Sequence, residues 1–193
     1  MFYVGTISFF KGANLLLLKL EQIINGFSKL LGVIAAILFI ILLFNVFFDV
    51  VMRYVFNDVS IGMQELEWHL FAAVFLLGIP YTLQTEGHVR VDLIYERLGV
   101  RKRALVDLIC TIILLLPFSL LVGWYGVGFA KEAFDLGEMS GDPGGLPYRW
   151  IIKSFIPFAF FAMAISGVGM ILKAINTFRG YHDNDEYHTA SPS

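Results

Sequence analysis

An all-α integral membrane protein of four transmembrane helices is the architecture this sequence predicts, and three observations lead there. The 193 residues are 58% hydrophobic and only 16% charged, against about 25% charged in a soluble domain. Four stretches, residues 30–48, 68–85, 108–130 and 154–172, contain no Lys, Arg, Asp or Glu; a hydrocarbon core about 30 Å thick needs roughly 20 residues at about 1.5 Å per residue, which flanking residues can complete. The basic residues, finally, fall unevenly on the connections between these stretches. Four buried core helices of this kind would leave too little chain to solvate them. Inside lipid each run must satisfy its own backbone groups, which makes it a helix.

Residues 1–10 are apolar but too short for a signal peptide, and no positive segment precedes them. In "KGANLLLLKLEQIINGFSK", from Lys11, the residues Leu16, Leu20, Ile23, Phe27 and Leu30 recur at steps of four and three, while Lys19, Glu21, Gln22, Asn25 and Lys29 fall mostly elsewhere. That spacing predicts an amphipathic helix lying in the membrane interface ahead of the first span; the alternative is that it lengthens the first helix. Residues 1–28 are thus expected as an N-terminal segment. Residues 29–179 are expected as a four-helix membrane domain with spans near 29–53, 65–86, 104–131 and 151–175. Residues 180–193 are polar and aperiodic, and read as a disordered tail. His182 and His188 flank acids there, but a solvated tail outweighs a metal site.

Orientation follows from Lys and Arg. Ten of the fourteen lie on one side of the predicted spans: Lys11, Lys19, Lys29, Arg90, Arg97, Arg101, Lys102, Arg103, Lys173 and Arg179. Arg53, Lys131, Arg149 and Lys153 lie on the other. The positive-inside rule places the larger group, and with it both termini, in the cytoplasm. Arg101, Lys102 and Arg103 form the topology signal of the middle connection. The acids of that elbow, Glu86, Asp92 and Glu96, count little in the rule and need another reason. His88 and Asp92 stand one helical turn apart, or share a face with Arg90 if the segment is extended.

Reaction chemistry is not written here. A net charge of −2 gives no basic field for nucleic acid. The single cysteine, Cys110, excludes a disulfide framework and a Cys-rich metal site, and is expected as a buried, inert thiol. A haem needs facing axial ligands; only His69 is inside a span, with His88 at an edge. Ser119, Ser154 and Ser166 have no hydrolase motif around them. No catalytic, cofactor-binding or metal-binding residue is expected. Gly123, Gly126, Gly128, Gly167 and Gly169 read as small-residue surfaces that let helices approach closely.

Charges near membrane depth are few. Asp49 and Arg53 can pair at the i,i+4 spacing at the end of span one. Glu65 and Glu67 open span two, where a helix N-terminus favours acids. No charged residue lies at the middle of a span; Pro80, Pro117 and Pro157 are the breaks. A carrier usually has polar or broken helices at the midplane, so the chain reads as a scaffold.

The segment "RYVFNDVSIGMQELEWHLFAAVFLLGIPYTLQTEGHVRVDLIYERL" resembles the small, DctQ-type membrane subunit of tripartite ATP-independent periplasmic (TRAP) transporters. The family pattern has an Arg-Tyr start, acids opening the second helix, Leu-Gly in mid-span, then Gly-His-x-x-x-Asp. Here these are Arg53 and Tyr54, Glu65, Leu77 and Gly78, and Gly87, His88 and Asp92. "PGGLPYRWIIKSFIP", from Pro143, is similar to the segment leading into the family's last helix. The resemblance covers roughly residues 28–179. It departs at the usual Glu pair, which is Gln64 and Glu65 here, and at Gly62, where a Trp is often found.

The resemblance implies a division of labour in the bacterial inner membrane. A periplasmic binding protein captures an organic acid, such as sialic acid or a C4-dicarboxylate. A large membrane subunit carries the substrate and sodium sites and uses the Na+ gradient. The small subunit, without cofactor, forms a stable complex with the static part of the large one. Asp49, Arg53, Glu65, His88, Arg90 and Asp92 are the candidate contacts to the large subunit. Asp58, Asp142 and Arg149 are candidates for docking the binding protein. A stand-alone four-helix channel or carrier would need a polar stripe along a helix, and a membrane anchor of a redox complex would need paired histidines.

Overall fold

The computed structural model describes residues 3–85 and 99–178, and all regular structure among them is helical. Helix α1 spans Tyr3–Val55, α2 Ile61–Gln84, α3 Val100–Cys110, α4 Leu116–Asp135 and α5 Trp150–Phe178. A single wide π-turn, Thr111–Leu115, joins α3 to α4. Four helical stretches are long and apolar enough to cross a membrane: Leu16–Val55, Ile61–Gln84, Arg101–Asp135 and Trp150–Phe178.

Helix α5 is the central element. It packs against α1, α2 and both parts of the third span; α1 and α2 form a hairpin beside it, and α2 and α4 flank it without packing on one another. The core is small: Leu31, Ala35, Leu77 and Ala162, with Phe27, Leu38 and Phe155 against it. Lipid tails are as apolar as leucine, so helices in a bilayer associate through close approach and hydrogen bonds rather than hydrophobic burial. Both devices are present. A Cβ on Gly126 would lie 3.2–3.3 Å from Pro157, one on Gly123 would lie 3.0–3.2 Å from the Phe161 ring, and one on Gly167 would lie 2.6 Å from Leu115. Gly169 is closed in the same way by Ile24 at 2.8 Å. Gly128, expected in the same role, faces open space. The hydrogen bonds join α1 to α5: Ser28 Oγ and Ser166 Oγ are 2.7 Å apart, and Asn176 Nδ2 donates to Glu21 Oε2 at 2.6 Å.

Helix α1 differs from the expectation. The segment predicted as a separate interfacial helix runs without interruption into the first span, and residues 21–28 stand alongside α5. Leu16, Leu20, Ile23 and Leu30 point outward, while Glu21 and Ser28 are buried. The pattern does not divide as expected: Glu21 and Ser28 meet α5, while Lys19, Gln22 and Lys29 are exposed along with Leu16, Leu20, Ile23 and Leu30, and Phe27 packs against the core. Gly26 is the one weak helix former there, and a single glycine costs only about 1 kcal/mol in a helix, too little to break it. At ~1.5 Å per residue, α1 is far longer than the hydrocarbon core requires.

The proline breaks are absorbed locally. Pro117 has no N–H and crowds the preceding turn; just before it the backbone widens, and Leu116 N–H bonds to Thr111 C=O five residues back. Pro80 and Pro157 are buried inside α2 and α5. Cys110, expected inside, is exposed on the outer surface. In a membrane protein an apolar run need not face the protein interior.

The two glycines of α4 should respond oppositely to substitution. Gly126→Val drives a branched side chain into the rigid Pro157 ring and should lose about 1–3 kcal/mol of stability. Gly128→Ala meets nothing and should gain about 0.5–1 kcal/mol from helix propensity. Thermal unfolding of the detergent-solubilised protein reads both; equal effects would contradict the close packing at Gly126.

Candidate functional site

The connections 56–60 and 136–149 lie at the same end of the bundle, and the second of them is held by one carboxylate. Helix α4 ends in a left-handed turn at Gly137, φ +58°. Glu138 N–H bonds to Ala133 C=O at 2.9 Å and Gly137 N–H to Phe134 C=O at 3.0 Å, the paired bonds of a Schellman motif. The chain then folds back. Gly145 N–H bonds to Asp142 C=O at 3.0 Å, Ser140 N–H to Leu146 C=O at 3.2 Å, and Arg149 N–H to Glu138 C=O at 3.1 Å.

Glu65 closes this loop. Its carboxylate is buried in the second turn of α2. Oε1 accepts from Ser140 Oγ, Oε2 accepts from Leu146 N–H at 2.6 Å, and an Arg149 guanidinium nitrogen lies 3.6 Å from Oε1. A buried carboxylate is tolerated only when its lone pairs are used in this way. Two glycines make room. A Cβ on Gly145 would lie 2.9 Å from Glu65 Oε2, and one on Gly62 would lie 3.2 Å from Gly144 C=O. Gly62 therefore leaves room at the start of α2 for the Gly144 carbonyl.

The expectation that Glu65 and Glu67 open span two is corrected by α2 itself. It starts at Ile61, with Ser60 Oγ accepting from Met63 N–H at 3.4 Å, and its first turn has no acid. Glu65 is set by the loop rather than by the helix dipole.

Around this centre Arg149 lies 5.8 Å from the Trp68 ring centroid, and Lys153 lies 4.1 Å from that of Phe129 while pairing with Glu138. Phe134 and Trp150 meet edge-on at 5.3 Å. Tyr148 has a positive φ of +62° and is exposed. His69 Nδ1 sits 2.6 Å from Glu65 C=O, within the same helix.

The other predicted residues are placed as follows. Asp49 and Arg53 pair at the i,i+4 spacing, with Asp49 buried. One turn earlier Asn45 Nδ2 donates to Met63 C=O at 3.1 Å and ties α1 to α2. Asp58 and Asp142 are exposed on the two connections. Arg149, grouped with them as a docking residue, pairs with Glu65 and lies near the Trp68 ring. Arg101, Lys102 and Arg103 lie in the first turn of α3. His88, Arg90 and Asp92 lie outside the described residues. Ser140, Gly145, Leu146 and the Lys153–Glu138 pair were not anticipated; the only sequence signal was a Gly- and Pro-rich loop carrying acids. Among the described residues no group of His, Cys, Asp and Glu could hold a metal ion.

This arrangement fixes the shape of a surface loop; it does not assemble reacting groups. Glu65→Ala should release that loop, because Leu146 N–H and Ser140 Oγ lose their acceptor and Arg149 its ion-pair partner at once. Limited proteolysis should cut residues 136–149 several times faster while the helices stay intact. Gln64→Ala should leave the rate unchanged, and equal cutting of both variants would remove Glu65 from this role.

Comparison with known proteins agrees with the geometry. Residues 42–177, which include the Asp49–Arg53 pair, Glu65 and the loop it holds, match the family described as tripartite ATP-independent periplasmic transporters, DctQ component. A TRAP transporter small permease protein of Haemophilus influenzae is 23% identical over 129 residues, covering 67% of this chain and 80% of that one. The ectoine TRAP transporter small permease protein TeaB of Halomonas elongata is 27% identical over 152 residues, covering 77% and 74%. The chain belongs to the DctQ family: it is the small permease subunit of a TRAP transporter, a multi-pass protein of the bacterial inner membrane and not an enzyme.

Proposed function

We propose that this subunit is a membrane scaffold for the large TRAP subunit, which carries the substrate and Na+ sites, and that the Glu65-held loop faces the periplasmic binding protein. One observation carries the scaffold reading. Polar side chains inside the bundle bond to one another, as Ser28 with Ser166 and Glu21 with Asn176, while the outer faces of α1 and α4 are broadly apolar. Among the described residues no polar stripe crosses the bundle for a solute to follow. Both termini are cytoplasmic on this reading, supported by the ten-to-four division of basic residues. The unbroken helix and the bonds of Glu21 and Ser28 to α5 argue against a separate interfacial helix over residues 21–28, and the outward Leu16, Leu20 and Ile23 are left to meet lipid or the large subunit.

The cargo is an organic acid on the family resemblance, whether sialic acid, a C4-dicarboxylate or another small organic acid; one relative is named for ectoine. Asp49 and Glu65 are engaged within the chain. Arg53 and the elbow residues His88, Arg90 and Asp92 remain the proposed contacts to the large subunit, and loss of co-purification in Asp92→Asn tests them.

Liposomes holding this chain alone should take up nothing. Adding the large subunit and the binding protein should give Na+-dependent uptake. Solute flux through the chain alone would overturn the scaffold reading.

Docking places Asp58 and Asp142 against basic groups of the binding protein. Asp142→Lys should raise the binding-protein concentration needed for half-maximal uptake without changing the maximal rate. The difference from wild type should shrink as salt rises, since exposed charges are screened over about 8 Å at physiological ionic strength. An unchanged concentration dependence would make the loop a connector only.

A further inference from the structure

Helices α2 and α4 flank α5 without packing on each other, and the cleft between them holds a slot of about 530 Å³ at the loop end of the bundle. Its walls and floor are apolar: Trp68, Phe71 and Phe75 from α2, Phe129 from α4, Ile152 and Ile156 from α5. Charge is confined to one end, where Arg149, Lys153 and Glu138 form the rim. Trp68 to Phe75 is two turns of helix, about 10 Å at 1.5 Å per residue.

Arg149 has room for a further partner. Its side chain is 32% exposed, and its approach to Glu65, 3.6 Å, is an ion pair rather than a hydrogen bond. The rim carries both signs of charge, with Lys153 and Glu138 paired beside Arg149.

We propose that this slot binds a glycerophospholipid, its phosphate against Arg149 and one acyl chain between α2 and α4 along α5. The shape and the charge agree. An amphiphile needs a polar rim at the membrane edge and an apolar slot running inward, and an aromatic such as Trp68 suits the boundary between them. A phosphate at the rim can accept from the partly exposed guanidinium of Arg149, and a zwitterionic headgroup matches a rim of mixed sign. A transmembrane helix of the large subunit fits less well. Such a helix is about 10 Å across, and farther along α5 Phe160 meets Phe118 of α4 edge-on, with ring centroids 5.8 Å apart, across the path it would take. The site is read from this geometry, and on the proposed orientation it lies in the outer leaflet.

The test uses the purified complex of small and large subunits with a phosphatidylethanolamine whose acyl chain carries a photoreactive diazirine. In wild type, crosslinks should concentrate on residues 68–76 and 152–156 of this chain. Ala72→Phe, which fills the slot without touching the rim, should abolish those crosslinks while complex formation is retained. Native mass spectrometry of the wild-type complex should show preference for the phospholipid over a diacylglycerol with the same tails, and Arg149→Gln should lose that preference. Wild-type crosslinks absent from both segments, or equal labelling in Ala72→Phe, would overturn the site. So would efficient crosslinking of a cysteine placed at Phe75 to the large subunit, since a partner helix would then fill the slot. If Ala72→Phe does not fold, the wild-type crosslink map decides alone.

Discussion

The bilayer is the constraint on which this structure depends. In water an apolar face is driven inward; in lipid it gains nothing by moving there. What brings helices together instead is a polar group that would otherwise lack a partner, or a backbone that can come unusually near. Helix α5 uses both. It offers Ser166 and Asn176 to α1, closes on Ile24 at Gly169 and on Leu115 at Gly167, and presses Pro157 into the gap at Gly126 of α4. The small core follows from this. A protein held by contacts of this kind can leave large side chains such as Phe44, Phe47, Trp124 and Tyr125 on its surface.

At the loop end a different balance applies. Burying a carboxylate opposes folding unless its acceptors are filled, and Glu65 fills them with a hydroxyl, a backbone N–H and a nearby guanidinium. These three groups come from a short stretch that must double back to present them. The positive φ at Gly144 and the missing Cβ of Gly62 and Gly145 are consequences of that reversal. One acid thus ties α2 to the connection between α4 and α5, and sets the display of Asp142 and Tyr148.

The four spans were legible because each is a local property of the chain: a charge-free run of sufficient length. The Asp49–Arg53 pair was legible for the same reason, since its partners are four residues apart. The Glu65 centre was not, because Ser140 and Leu146 are 75 and 81 residues away; its acid could be seen in the sequence but not what it holds. Periodicity on α1 did not show which residues meet α5. The usual assumption that apolar residues turn inward holds for water outside, whereas lipid leaves Leu16, Leu20 and Ile23 outward while Glu21 and Ser28 bond to α5. Cys110 was misplaced by the same assumption.

The start of α3 shows where local structure stops explaining the sequence. Arg101, Lys102 and Arg103 occupy its first turn, where the helix dipole already places positive partial charge. The residue before the helix is Gly99, which has no side chain to cap the first N–H groups. Helix chemistry alone would put an acid in that turn and a Ser, Asp or Asn ahead of it. Cations in a first turn are unfavourable to the helix dipole, so the dipole does not explain three in a row there. A cluster of positive charge beside a span resists translocation, and that demand acts during insertion whatever it costs the folded helix. The same residues that the dipole of α3 leaves unexplained are those that hold the proposed orientation of all four spans.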